Sequence, residues 1–147
     1  MNNLSAFVDS LQDLMATRNI KPIDIHKATK ISLNVIYAWL RNEGMPKLNS
    51  LIVLADYFQC YVDYICGRIE QESFTISTKL SSFSKRLRLL MSKNGVSIRK
   101  LSIEINISAS NIHRFLTDTG KPLLENLIRL AEFFDCSLDY LLGRSDS

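Results

Sequence analysis

Ala109, Ser110, Asn111, His113 and Arg114 crowd into six consecutive positions of a segment whose apolar residues, Ile112, Phe115 and Leu116, recur at helical spacing. On a helix the apolar set faces inward and the other five point outward or sideways. Asn111 carries a donor and an acceptor side by side, the pattern that pairs with the edge of adenine. The guanidinium fork of Arg114 suits guanine or a phosphate, and Ser110 and His113 can bond either bases or backbone. Such chemistry recognises a partner and breaks no bond. The two histidines, His26 and His113, lie far apart in the chain. There is no glycine-rich phosphate loop, no closely spaced metal-ligand cluster and no nucleophile with an evident base. The expectation is therefore a protein without catalysis, cofactor, metal or small-molecule substrate.

These residues belong to the second of two copies of one pattern. Residues 7–68 align with residues 83–144 without a gap, 76 positions apart, and 21 of the 62 pairs are identical. Most of the shared residues are apolar, or are the Gly, Pro and Ser that punctuate helices, so what repeats is a fold. A period this long is too large for a solenoid unit. The expected organisation is a first domain over 1–68, a linker over 69–78 and a second domain over 79–147. The 14 residues between Arg68 and Phe83 could span roughly 45–50 Å when extended.

Each copy reads as five short helices and no strand, an all-α class. In the second copy Leu80, Phe83, Leu87, Leu90 and Met91 mark the first helix, which Asn94-Gly95 ends. A helix over 98–105, a turn at Asn106-Ile107 and a third helix capped by Ser108 follow. The break Gly120-Lys121-Pro122, an amphipathic helix over 124–134 and a last helix over 138–142 capped by Ser137 complete the copy. In the first copy the helices fall near 5–18, 22–29, 33–41, 49–58 and 62–66, with Pro22 in a first turn where proline is tolerated. Asp63 and Asp139, at matching places in the last helices, are expected to cap or to form ion pairs.

Composition sets outer bounds. With 46% hydrophobic and 22% charged residues among 147, the chain reads as globular. It holds no apolar run of about 18 residues, the length a membrane span needs. The N-terminal residues lack the pattern of a signal peptide, and the odd, scattered Cys60, Cys66 and Cys136 point to a reducing compartment. A cytoplasmic, nucleoid-associated protein is expected. The net charge of +3 is uneven: residues 1–72 carry seven Lys/Arg against eight Asp/Glu, and residues 73–147 carry eleven against seven. For a polyanionic partner the second copy supplies most of the attraction.

A short helix, a three-residue turn and a serine-capped helix form a helix-turn-helix, present at residues 22–40 and again at 98–116. With it come Gly44-Met-Pro46 and Gly120-Lys-Pro122, Leu51-Ile-Val-Leu-Ala55 and Leu127-Ile-Arg-Leu-Ala131, and the endings Val62-Asp-Tyr-Ile-Cys-Gly-Arg68 and Ser137-Leu-Asp-Tyr-Leu-Leu-Gly-Arg144. In these features the chain resembles the bacterial and phage family of Cro- and repressor-like (XRE-type) helix-turn-helix domains. The resemblance implies two tandem five-helix lambda-repressor-like domains and a transcriptional regulator of double-stranded DNA, repressor-like, with recognition helices over 33–41 and 109–117 in the major groove. Phosphate contacts are expected from Arg99, Lys100 and Lys121, and from Arg86 and Arg88 with Lys85 on the first helix of the second copy. Lys21, Lys27, Lys30 and Lys47 are the weaker equivalents in the first.

The copies differ where a partner would be read. Leu33, Asn34, Val35, Tyr37 and Ala38 replace the polar set of the second copy, and residues 33–40 hold no cation before Arg41. Leu33 and Val35 could touch thymine methyls; alternatively this apolar surface mediates homodimerisation or docks a protein partner, as in an antitoxin-like regulator, leaving DNA to the second domain. Trp39 is expected to be partly buried at the position of Phe115. Both copies also lack the glutamine that often opens the family's second helix, with Pro22 and Ile98 in its place.

Overall fold

In the computed structural model, residues 3–70 and 82–146 are described, with side chains from Ser5 onward. The chain divides into two compact units, Met1–Phe74 and Thr75–Ser147. Among the described residues all regular structure is helical. The first unit holds α1 (Asn3–Thr17), α2 (Pro22–Thr29), α3 (Leu33–Leu40), α4 (Leu48–Phe58) and α5 (Val62–Ile65). The second repeats the order as α6 (Phe83–Asn94), α7 (Ile98–Ile105), α8 (Ala109–Leu116), α9 (Leu124–Phe134) and α10 (Leu138–Leu141). The sequence expectations differ from these bounds by a residue or two at some ends. Leu80 and most of the expected linker, residues 71–78, lie outside the described residues.

Each unit buries one apolar stripe from each of its longer helices. In the first, Phe7, Leu11, Leu14, Ile25, Ile36, Leu51, Leu54 and Phe58 form the centre. In the second, Leu87, Leu101, Ile112, Leu127 and Leu130 take the corresponding places. Trp39 is more deeply buried than its sequence suggested, at 4% exposure. Phe7 meets it edge-on at 5.6 Å between ring centroids, as Phe83 meets Phe115 at 5.8 Å. The aromatic pair at α1–α3 is thus preserved across the duplication with a larger ring in the first copy.

Helix caps distinguish the two units. Ser82, Ser97, Ser108 and Ser137 each accept a hydrogen bond from the backbone N–H three residues on, at the starts of α6, α7, α8 and α10. In the first unit no side chain of the cap residue does so at α2 to α5, Ser32 included. There Asp24 instead reaches back to accept from the Lys21 N–H at 2.9 Å. A hydroxyl cap contributes about 1 kcal/mol, so the second unit has the more firmly started helices.

The closing helices are locked by charge. Asp63 is buried and accepts from Arg68 Nη1 at 2.6 Å; Asp139, with no exposed surface, pairs in the same way with Arg144. The backbone N–H groups of Arg68 and Arg144 return to the carbonyls of the same aspartates at 2.8 Å. The repeated aspartate and the terminal arginine of the motif are therefore one interaction, an ion pair across a five-residue turn.

Candidate nucleic-acid interface

The candidate interface in the second unit is built from α7, the turn and α8. Asn106 ends α7 in the left-handed conformation, φ +56°, a geometry asparagine tolerates. Ile107 then drops into the core, and Ser108 opens α8 by accepting from the Asn111 N–H at 3.2 Å. Ser102 Oγ donates to the Ile107 carbonyl at 2.6 Å, tying α7 to the turn. With Ile112 and Phe115 buried, Ala109, Ser110, Asn111, His113 and Arg114 all stand exposed on the far side. The five expected contact residues therefore lie together on one solvent-facing helix.

Cations frame that surface. Arg99 and Lys100 are exposed at the first turn of α7, where the Ser97 hydroxyl accepts from the Lys100 N–H at 3.1 Å. Lys121 is exposed after α8 and lines a cleft with Asn111, Arg114, Gly120, Leu123 and Asn126. Asn126 on α9 escaped the sequence reading, because its counterpart Ser50 carries no amide and nothing local marks it. Arg88 is exposed, and its Nη2 donates to the Leu116 carbonyl at 2.9 Å. It caps the C-terminal end of α8, where a cation also meets the negative end of the helix dipole.

Arg86 requires a correction. Its side chain is turned into the domain, and the residue is only 6% exposed. Nη1 donates to the carbonyls of Tyr140 and Ser145 at 3.1 and 3.0 Å, and the guanidinium lies 4.3 Å from the Tyr140 ring centroid. A cation held on two carbonyls and a ring is not free to meet a phosphate, so Arg86 is structural. Its counterpart Ser10 makes the matching bond to the Tyr64 carbonyl at 3.0 Å. Lys85 remains exposed.

The first unit keeps the frame with different groups. His26 occupies the position of Ser102, and its Nδ1 lies 2.7 Å from the Ile31 carbonyl. A carbonyl only accepts, so this nitrogen carries the proton. Thr29 adds a second tie by accepting from the Ile31 N–H at 3.2 Å. On α3, Asn34, Val35 and Tyr37 are exposed, the latter two at 41% and 45%, whereas Leu33 is half-buried. Arg41 is exposed and bridges Glu43 at 3.1 Å. Lys47 is exposed at the start of α4. The side chains of Lys21, Lys27 and Lys30 lie on an exposed face, while the backbones of Lys21 and Lys30 open and close α2, the latter at φ +64°.

The histidine brace gives a direct prediction. His26→Ser should retain the turn, because serine already makes this bond in the second unit. His26→Phe should lower the stability of the first unit by about 1 kcal/mol, the net value of such a bond, as read by denaturant unfolding. Equal losses for both substitutions would remove the brace from the account.

Comparison with known proteins decides the family. The Cro/C1-type HTH DNA-binding domain matches residues 10–71 and again residues 86–147. The chain belongs to this family. Two Bacillus subtilis (strain 168) relatives are similar to part of it. The HTH-type transcriptional regulator YobD is 33% identical over 64 residues, 44% of this chain and 57% of that protein. The HTH-type transcriptional regulator ImmR is 29% identical over 65 residues, 44% of this chain and 51% of that protein. The chain thus spans about half the length of the curated relatives it matches. No solved structure matches it. Both Cro/C1-type domains place their helix-turn-helix as the sequence anticipated, and among the described residues no helix is long and apolar enough to cross a membrane.

Proposed function

We propose that the protein is a sequence-specific regulator of transcription that binds double-stranded DNA in the cytoplasm, repressor-like in action, with α8 as its principal reading helix. The observation that carries this is the solvent-facing set Ser110, Asn111, His113 and Arg114 on a capped and braced α8, framed by Arg99, Lys100 and Lys121. Bases are read by the groups near the start of such a helix, and phosphates by the cations around it. The two domains act as a covalent pseudo-dimer with unlike recognition helices, and adjacent major-groove sites about 34 Å apart lie within reach of the 14-residue connection.

A second reading is favoured by the face of α3. Val35 and Tyr37 expose apolar surface, and the nearby Arg41 is engaged with Glu43. Under this reading the first domain dimerises or holds a protein partner while the second binds DNA.

Selection of bound sequences from a random duplex library separates the two. The first reading expects a consensus with two unlike half-sites and an affinity that falls steeply with salt. Replacing Asn34 and Tyr37 by alanine should then erase one half-site and leave the other. A consensus with a single half-site, untouched by that double substitution, assigns the first domain to protein contact. Failure to enrich any sequence defeats the reading as a whole.

A further inference from the structure

Gly44 and Gly120 are identical residues at equivalent places, yet the chain needs them for different reasons. Gly44 has φ +86°, a left-handed conformation that side chains avoid, and a Cβ there would meet nothing within 4 Å. Gly120 lies outside the left-handed region. A Cβ on Gly120 would stand 3.3 Å from Arg114 Nε, 3.4 Å from Arg114 Cβ and 3.6 Å from Arg114 Cζ. The arginine side chain is therefore laid across the glycine. In the first domain Ala38 stands where Arg114 stands in the second, so nothing there needs the room.

The segment beneath the arginine is itself tied down. The Arg114 carbonyl accepts from the Thr119 N–H at 3.0 Å and from the hydroxyls of Thr117 and Thr119 at 3.3 and 3.4 Å. The two threonine hydroxyls also bond each other at 3.0 Å. Loop and side chain fold back on one another, and Arg114 lines a single cleft together with Asn111 and Lys121. A long side chain held in one place before binding loses less freedom on contact.

We infer that Gly120 is a positioning residue for recognition: by lacking a side chain it holds Arg114 in the orientation that meets DNA. This rests on the proposed role of α8. The partner group is a pair of hydrogen-bond acceptors, which a guanine edge and a phosphate both supply. A methyl at Gly120 displaces the guanidinium by a few tenths of an ångström or lifts it off the loop, while the backbone itself is not strained.

The test uses the full-length chain and the duplex it selects. Gly120→Ala should weaken binding roughly three- to tenfold, the scale of one impaired hydrogen-bonded contact, without lowering the melting temperature of the second domain. In an Arg114→Ala background the same substitution should change nothing, because the group it displaces is gone. A loss confined to one base pair of the site identifies a guanine edge. A loss uniform across sequences, with a shallower salt dependence, identifies a phosphate. Equal effects of Gly120→Ala with and without Arg114, or no effect in either, overturn the inference. A second readout needs no DNA: the Arg114 Nε–H resonance of the 15N-labelled chain should move in Gly120→Ala and stay in place in Gly44→Ala. If the wild-type chain selects no duplex, the functional reading fails and takes the inference with it; that resonance still reports whether the packing exists.

Discussion

Alanine at both Asn111 and Arg114 should abolish the preference for the selected duplex and leave both domains folded. The two side chains are exposed, and the groups that hold α8 in place lie elsewhere: Ser108 at its start, Arg88 at its end, Ile112 and Phe115 beneath. Removing them therefore subtracts recognition without subtracting core. Each bidentate contact to a base discriminates by about 1–3 kcal/mol. Losing the Asn111 contact costs at least about fivefold in the ratio of specific to non-specific affinity, and at least about 30-fold where Arg114 meets a guanine edge and not a phosphate, at roughly 1.4 kcal/mol per factor of ten. Residual binding should persist through Arg99, Lys100 and Lys121, depend strongly on salt and ignore sequence. Competition between the selected duplex and a scrambled one measures the ratio directly. An undiminished ratio in the double variant would show that α8 is not the reader.

Asp139→Ala should unfold the second domain, or nearly so, while the first stays intact. Asp139 is wholly buried, and its partner Arg144 keeps only 10% of its side chain exposed. Deleting one member of a buried ion pair costs about 3–5 kcal/mol. A domain of this size has about 3–9 kcal/mol in all, at 0.05–0.15 kcal/mol per residue. Asp63→Ala should cost less, because Arg68 is 26% exposed and can turn to water. Denaturant unfolding followed by probes in each domain should show the second transition shifted far to lower denaturant in Asp139→Ala, with the first unmoved. A second transition that keeps its midpoint would mean the pair contributes little beyond what water offers each charge.

Local rules made much of this legible. The helices, the turns and the caps at Ser108 and Ser137 depend on residues three or four apart, which a sequence displays. The outward set on α8 followed from the same periodicity. What stayed hidden was set by contacts distant along the chain. Arg86 reads as a surface cation, yet its partners lie 54 and 59 residues away on the closing segment. Only in three dimensions does it become clear that Ser10 and Arg86 perform the same task with groups of different length. The depth of Trp39 was hidden likewise, because burial there depends on how Phe7 packs against it from another helix. Gly120 was concealed by its own repetition: an identical residue in both copies suggested one shared reason, where the structure shows two.

The brace between α2 and the turn, or between α7 and its turn, ends on a backbone carbonyl: His26 on Ile31 and Ser102 on Ile107. Neither bond involves an outward side chain of α3 or α8. The angle between the two helices is thereby uncoupled from the identity of the letters that face a partner. A mutation on the outer surface can change what is bound without first having to rescue the fold, and this gives the duplicated scaffold two cartridges that can be rewritten one at a time.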